Sequence, residues 1–351
     1  MKNKSKKGQN KYSRKINGGE SFVSKKVEYT ETQTETQIQT ETHTETESSS
    51  SSSISSSVLR PVGSCPPGKE LLYGTCLTER HIIEMIRAHN RYTLKTVQGN
   101  PQVHSLIDED HNNPKKMLAE LAKRYQTTCK GDQECLFKQD FLDEMLQELR
   151  DDVKLNTLLP EGPETATTWL SNFDIQDIMR LRENYYPDFE FIGAVPMDCD
   201  EHSICPLSRL DLKNLYSRGK MRLAIVYNLD KMGQGGSHWV AMYMDLNKCE
   251  CYYYNSLGTG PVENMNNMIE QFKKFCINTL KKNPLVKINN KQHQRDTSEC
   301  GVYSVNFIIR LLRGETYESI INDETPFEEI NSCRNAYFRK KTSKFPVSHK
   351  C

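Results

Sequence analysis

His238-Trp-Val-Ala-Met-Tyr-Met-Asp-Leu-Asn-Lys-Cys-Glu-Cys-Tyr-Tyr-Tyr-Asn-Ser256 reads as two apolar, aromatic-rich strands joined by a polar turn. The turn Asp245-Leu246-Asn247-Lys248 predicts strands over 238–244 and 249–254, paired antiparallel as a hairpin. In such a hairpin the start of the first strand lies beside the end of the second. His238 and Asn255 therefore come together, while Asp245 falls at the opposite end. His238 also follows directly on the turn residues Gly233, Gly235 and Gly236, which sets it at a strand edge.

Outward from the hairpin, short strands alternate with helices. Arg222–Tyr227 reads as a core strand, Phe189–Val195 as a short strand before Pro196, and Leu285–Ile288 as another. Thr168-Trp169-Leu170 leads into a helix around 173–179, with Ser171 or Asn172 as its cap. Residues 262–280 form a long amphipathic helix. Cys300 opens the run Cys-Gly-Val-Tyr-Ser-Val-Asn-Phe-Ile-Ile-Arg-Leu-Leu, an apolar helix that ends at Gly314. Helices mixed with antiparallel strands give residues 156–345 an α+β class.

Two regions precede this domain. Residues 58–155 read as a mostly helical accessory region that orients substrate or covers an edge. Turns are expected at Pro61, Cys65, Pro66, Pro67 and Gly68. Helices are expected over 78–90 with Thr78 as cap, over 115–125, and over 139–149, where Phe141, Leu142, Met145, Leu146 and Leu149 recur at helical spacing. Residues 1–57 join a lysine-rich head, Thr-Glu-Gln repeats and a serine tract. Nothing there buries enough apolar surface to repay ordering, so a disordered tail is expected. Its basic head suits weak nucleic-acid contact or a nuclear address; its plainer use is as a solubilising tail.

Bulk composition narrows the classes. Lys and Arg total 47 against 46 Asp and Glu over 351 residues, so global charge selects no partner. The irregular spacing of 12 cysteines, without a secretory leader, argues against a disulfide scaffold and for reduced thiols in a reducing compartment. No apolar run reaches about 18 residues, so no membrane span is expected. Cys65 with Cys76, and Cys129 with Cys135, are spaced too widely for a zinc knuckle, and His202 between Cys199 and Cys205 lacks a second ligand pair. No metal or cofactor is implied.

The chemistry-bearing residues form one set. A thiol hydrolase needs a thiolate, and a free thiol titrates near pH 8.5, so its surroundings must favour the anion. A helix N-terminus does this through unpaired N–H groups and the dipole, as does an adjacent imidazolium. Cys300 and His238 meet those two needs. Asn255 orients the imidazole through its amide oxygen, though without the charge an aspartate would bring. Gln294, six residues before Cys300, offers an amide to an oxyanion, with the Cys300 backbone N–H as second donor. Trp239, by alternation, faces away from His238 and packs either a cleft wall or the core. Each residue singly has a plain explanation: a buried cysteine, a turn histidine, a surface glutamine, a turn-capping asparagine. His293, seven residues before Cys300 in a polar loop, is the competing base but has no paired orienting strand.

Over roughly residues 168–314 the sequence resembles the SUMO-protease and adenain-related cysteine proteases. The resemblance rests on Trp169-Leu170, His238-Trp239, the strand ending Tyr252-Tyr253-Tyr254-Asn255-Ser256-Leu257, and Gln294 followed by Cys300-Gly301-Val302-Tyr303. It implies a papain-like, adenain-like core: a central mixed sheet flanked by helices, with the nucleophile at a helix N-terminus. It implies His238 as base, Asn255 as orienting residue, Gln294 as oxyanion donor, Cys300 as nucleophile and Trp239 as the lid of a narrow substrate tunnel. The deconjugating enzymes carry Asp where this chain has Asn255, and many relatives carry Asp where it has Glu299. The implied reaction is endopeptidase cleavage after Gly-Gly-like sites, on a viral polyprotein or a ubiquitin-like protein. Composition leans to the large-DNA-virus branch, and so to processing of viral structural proteins. The implied station is the virion or the host cytoplasm with its viral factory, and the nucleus is the alternative. Deconjugation of SUMO or ubiquitin-like proteins, and an inactive ubiquitin-like-binding module, are the competing readings.

Overall fold

Strands β1 (Phe189–Pro196), β2 (Arg222–Asn228), β3 (Trp239–Asp245), β4 (Glu250–Tyr254) and β5 (Leu285–Ile288) form one sheet in chain order. The outer pairs β1–β2 and β4–β5 are parallel, and the inner pairs β2–β3 and β3–β4 are antiparallel, so the sheet is mixed. The computed structural model describes residues 65–66, 72–96 and 106–351. The segment 1–57 and the turn residues Pro61, Pro67 and Gly68 lie outside them.

Period-two alternation sorts the strand side chains between two cores. Ala224, Val226, Trp239, Ala241, Tyr243, Tyr252 and Tyr254 face one, and Leu223, Ile225, Tyr227, Val240, Met242, Met244, Cys251 and Tyr253 face the other. Each face is closed by helices, which explains why every residue of β3 is buried. Full burial of one large apolar side chain contributes about 1.5–3 kcal/mol. A one-residue slip would exchange the whole set between cores, so the register is strongly specified.

The helices fall into two groups. The first is α1 (Glu79–Thr96), α2 (Pro114–Arg124), the short turns α3 (Gln126–Cys129) and α4 (Gln133–Leu136), and α5 (Gln147–Asp152), which runs on as a π-helical turn through Thr157. This group closes its own core around Ile82, Met85, Ile86, Leu118, Leu121 and Phe141. Thr78 caps α1, its hydroxyl accepting from the His81 N–H at 3.2 Å. The continuous helix expected over 139–149 is instead a 3₁₀ turn at Asp140–Glu144 and then α5, with Met145 and Leu146 extended between them. The break is held from α1: Glu84 accepts from the Leu146 N–H at 3.0 Å, and Arg91 donates to the Glu144 carbonyl. The segment that follows this group is held to the end of the sheet domain by backbone bonds from Arg339 to Pro160 (2.9 Å) and from Lys340 to Glu161 (3.1 Å).

The second group is α6 (Asn172–Tyr185), α7 (Leu212–Ser217), α8 (Glu263–Phe275), α9 (Cys300–Leu312), α10 (Tyr317–Asn322), α11 (Phe327–Ser332) and α12 (Arg334–Tyr337). Ser171 caps α6 in a reciprocal capping box with Asp174. The helix expected over 262–280 is α8 plus a π-helical turn from Cys276 to Leu280. Helix α9 spans the expected residues and stops at Gly314, whose φ of +92° is a left-handed C-terminal cap.

Eight cysteines are paired, against the expectation of a reduced chain. The disulfides are Cys65–Cys76, Cys129–Cys135, Cys199–Cys205 and Cys333–Cys351. Two of the pairs weighed as zinc ligands are therefore disulfides, as are the cysteines flanking His202. Cys249, Cys251, Cys276 and Cys300 stay free. Among the described residues, no helix is long and apolar enough to cross a membrane.

Candidate active site

His238 stands one residue ahead of β3, and Asn255 one residue past β4. The hairpin register brings them together: the His238 Nε2 lies 2.8 Å from the Asn255 Oδ1. That contact makes Nε2 the protonated nitrogen and leaves Nδ1 as the free base. Asn255 is itself fixed on every side. Its Nδ2 donates to the Thr259 hydroxyl (2.6 Å), its backbone N–H donates to the Asn289 Oδ1 (2.7 Å), and its Oδ1 also accepts from the Leu257 N–H (3.0 Å). With its oxygen set by the Leu257 N–H and its nitrogen held by Thr259, the amide presents oxygen to the imidazole.

Cys300 is the first residue of α9 and only 3 % exposed. Helix α9 packs on β3, and the Ser304 hydroxyl donates to the Trp239 carbonyl at 3.2 Å. The Ser304 bond and the close approach of Gly301 to Trp239 put the start of α9 beside the residue that follows His238. Gly301 permits this approach. A Cβ there would stand 3.0 Å from the Leu170 Cβ and 3.2 Å from the Trp239 Cδ1.

Burial dominates the electrostatics. It pushes the Cys300 thiol up; the backbone of Trp239 and of Gly301 pulls it back, while Glu299 and Asp296 add to the rise. Burial pushes His238 down, against the bond to Asn255. Burial thus opposes the thiolate that the helix terminus and imidazole are expected to favour, and it opposes the imidazolium as well.

Gln294 is buried just upstream of α9. Its Oε1 accepts from the Ser256 hydroxyl (2.7 Å), and its Nε2 donates to the Asp296 carbonyl (3.0 Å). The competing histidine drops out. His293 is buried rather than in an open polar loop, with Nδ1 on the Tyr254 hydroxyl (3.0 Å) and Nε2 on the Ile321 carbonyl (3.2 Å).

A groove of about 450 Å³ opens beside His238, walled by Trp169, Leu170, Trp239, Met232 and Asn228. Trp239 is buried and locked, its Nε1 donating to the Leu170 carbonyl at 2.8 Å. Trp169 is 48 % exposed and faces the groove, a position the sequence marked only as a landmark of resemblance. Thr259, Ser256 and Asn289 were also missed. Their polarity was visible, but their partners lie across the fold. Among the described residues, no group of three or more His, Cys, Asp or Glu side chains is arranged to hold a metal.

Comparison with known proteins gives the family. A family model described as the Ulp1 protease family, C-terminal catalytic domain, matches residues 228–343. A putative thiol protease of Acanthamoeba polyphaga mimivirus is 41 % identical over 281 residues, covering 79 % of this chain and 93 % of that protein. A SUMO-1 cysteine protease of African swine fever virus is 25 % identical over 194 residues, covering 51 % of this chain and 70 % of that one. The crystal structure of an African swine fever virus protease superposes with a TM-score of 0.53 at 23 % identity, covering 69 % of this chain and 94 % of that one, a likeness of fold. With these relatives, the chain belongs to the Ulp1 protease family and is a cysteine peptidase of its large-DNA-virus branch.

Proposed function

We propose that the chain hydrolyses peptide bonds after Gly-Gly-like sites through an acyl-enzyme on Cys300, and that its substrates are viral structural proteins. The observation that supports the catalytic assignment is the 2.8 Å His238–Asn255 contact at the edge of β3, the strand on which the helix opened by Cys300 packs. His238 takes the thiol proton, and the sulfur attacks the scissile carbonyl. The new C–S bond forms a tetrahedral oxyanion, which Gln294 and the Cys300 backbone N–H stabilise. His238 then protonates the departing amine as the C–N bond breaks. Water, deprotonated by His238, attacks the thioester and releases the acid and the thiol.

The preference for glycine rests on the close packing at the cysteine. Leu170, Gly301 and the locked Trp239 indole leave little room for side chains near the scissile bond, while Trp169 and Met232 line the groove further out. A short Gly-Gly aldehyde or vinyl probe tests this reading. It should label Cys300, and a probe with leucine in place of both glycines should not. Equal labelling by both would remove the specificity, and cleavage by Cys300→Ala would remove the nucleophile.

Deconjugation of a ubiquitin-like protein is the second reading, favoured by the name of the African swine fever virus relative, a SUMO-1 cysteine protease. It predicts faster labelling by a full-length SUMO-derived probe than by the short peptide. An inactive binding module would leave Cys300 unlabelled by either. For the station, four disulfides favour a packaged virion over the reduced host cytoplasm, with the viral factory and nucleus as alternatives. The lysine-rich head of segment 1–57 suits a weak, salt-sensitive nucleic-acid contact.

A further inference from the structure

The residue before Cys300 is a carboxylate with no access to water. Glu299 and its partner Arg334 are both 0 % exposed. Arg334 Nε donates to the two Glu299 oxygens at 3.3 and 3.1 Å, and its Nη2 donates to Oε1 at 3.0 Å. The Ser298 hydroxyl (3.0 Å) and the Asn331 Nδ2 (3.1 Å) also donate to that oxygen. Asn331 Nδ2 reaches in addition to the Ala166 carbonyl at 2.7 Å, tying the start of α9 to the segment that leads into Trp169.

Stability alone is a poor reason for this arrangement. Buried ion pairs are often no better than apolar residues of the same volume, because desolvation offsets the attraction. The location is more telling: a bare carboxylate at Glu299 would repel a thiolate on the adjoining residue. We propose that Arg334 neutralises Glu299 as seen by Cys300 and fixes the backbone from which the thiol projects, making the pair a positioning and charge-balancing device for the nucleophile. The inference rests on the reading of Cys300 as the nucleophile.

The other titratable and charged groups near the sulfur are few. Asp296, in the turn before α9, adds to the negative potential, and its Oδ1 is occupied by the Ser298 and Glu299 N–H groups at 2.8 and 2.9 Å. His238 arrives from the start of β3, and Tyr303 lies one turn along α9 with its hydroxyl on the Thr325 carbonyl. Further along α9 the surroundings are mostly apolar, with Ile178 of α6, Ile320 of α10 and Ile330 of α11 in the same core, and the buried Arg182 of α6 stands over the Tyr337 ring, whose hydroxyl meets the Asn306 Nδ2 of α9. Arg310, near the far end, is taken up by Glu315 and Asp323. Among these groups Arg334 is the cation bonded directly to the carboxylate that adjoins Cys300.

The test is the pH dependence of Cys300 alkylation by iodoacetamide in the full chain, with the adduct mapped by mass spectrometry. Arg334→Met should raise the midpoint by about one pH unit, roughly a tenfold slower reaction below it. Arg334→Lys, which keeps the charge but loses the fork, should recover most of that shift. Glu299→Gln should move the midpoint down, and the double variant Glu299→Gln with Arg334→Met should return it toward wild type. A merely structural pair would give no such opposed signs. Unmoved midpoints, or movement in one direction for both single changes, would overturn the proposal. If Arg334→Met does not fold, Glu299→Gln and Arg334→Lys decide by the same signs. Cys300→Ala in a peptide-cleavage assay separates the two levels: residual cleavage removes the nucleophile, whereas an inactive Cys300→Ala with unmoved midpoints removes only the role of the pair.

Discussion

At the scale of single residues, the proposed mechanism depends on which way one amide faces. Asn255 orients His238 only while its oxygen points to the ring; the Leu257 N–H, which can only donate, sets that choice, and the Thr259 hydroxyl on its Nδ2 supports it. Thr259→Val keeps the shape and removes the bond. A hydrogen bond of this kind is worth roughly 0.5–1.5 kcal/mol net, so kcat should fall about 2–10-fold with KM little changed. Steady-state kinetics on a peptide substrate checks this, and an unchanged kcat would show that Leu257 and the backbone suffice. The uncharged orienting group also sets the pH profile. Burial holds His238 below its ordinary value of 6.5, so the base stays deprotonated, and activity persists, further into acid than for an exposed histidine. Asn255→Asp would set a carboxylate against the protonated ring, raise its pKa and move the acid limb of kcat/KM upward. A limb that stays in place would mean that another group governs it.

Among the elements, the junction of α9 with β3 carries the site. Gly301 lets the helix start pack close against Leu170 and Trp239. Gly301→Ala must push back either Leu170 or the Trp239 indole, which is tied to the Leu170 carbonyl. Overpacking of this sort costs about 1–3 kcal/mol. Thermal melting should shift down, and Cys300 labelling should slow by more than the unfolded fraction accounts for. Helix α9 and strand β5 were legible to the residue because Gly314 and the flanking polar loops punctuate a local pattern. The His238–Asn255 juxtaposition was legible because hairpin geometry follows from the position of its turn. The break at Met145 and Leu146 was not, since Glu84 and Arg91 impose it from a helix more than fifty residues away. His293 misled for the same reason: a polar run in sequence, it is drawn inward by Tyr254 and Ile321. Burial also pushes the Cys300 thiol up, and solvent exclusion at a helix N-terminus is not written in the spacing of residues.

For the molecule as a whole, the disulfides were the largest departure from the sequence reading, because pairing is decided by which chain segments the fold brings together. Cys333–Cys351 closes 18 residues behind α9, and side chains hold the same segment in parallel. Asn306 Nδ2 donates to the Lys350 carbonyl at 2.8 Å, and Lys350 Nζ pairs with Asp323 at 2.8 Å and Glu329 at 2.7 Å. Those contacts persist when the covalent link is cut, so the link's own contribution lies chiefly in the unfolded chain. For a loop of this length it amounts to about 3 kcal/mol. Cys351→Ser should lower the urea midpoint by that equivalent without altering Cys300 labelling under native conditions, and its difference from wild type should vanish once a reductant has opened all four disulfides. The partner thiol, Cys333, adjoins Arg334, so the variant also separates tethering from charge. If the terminal segment acts only as a tether, the pH midpoint of Cys300 alkylation stays at the wild-type value while stability falls. A midpoint that rises in Cys351→Ser would instead mean that the disulfide holds Arg334 against Glu299, and would join the redox state of the C-terminus to the reactivity of the thiol.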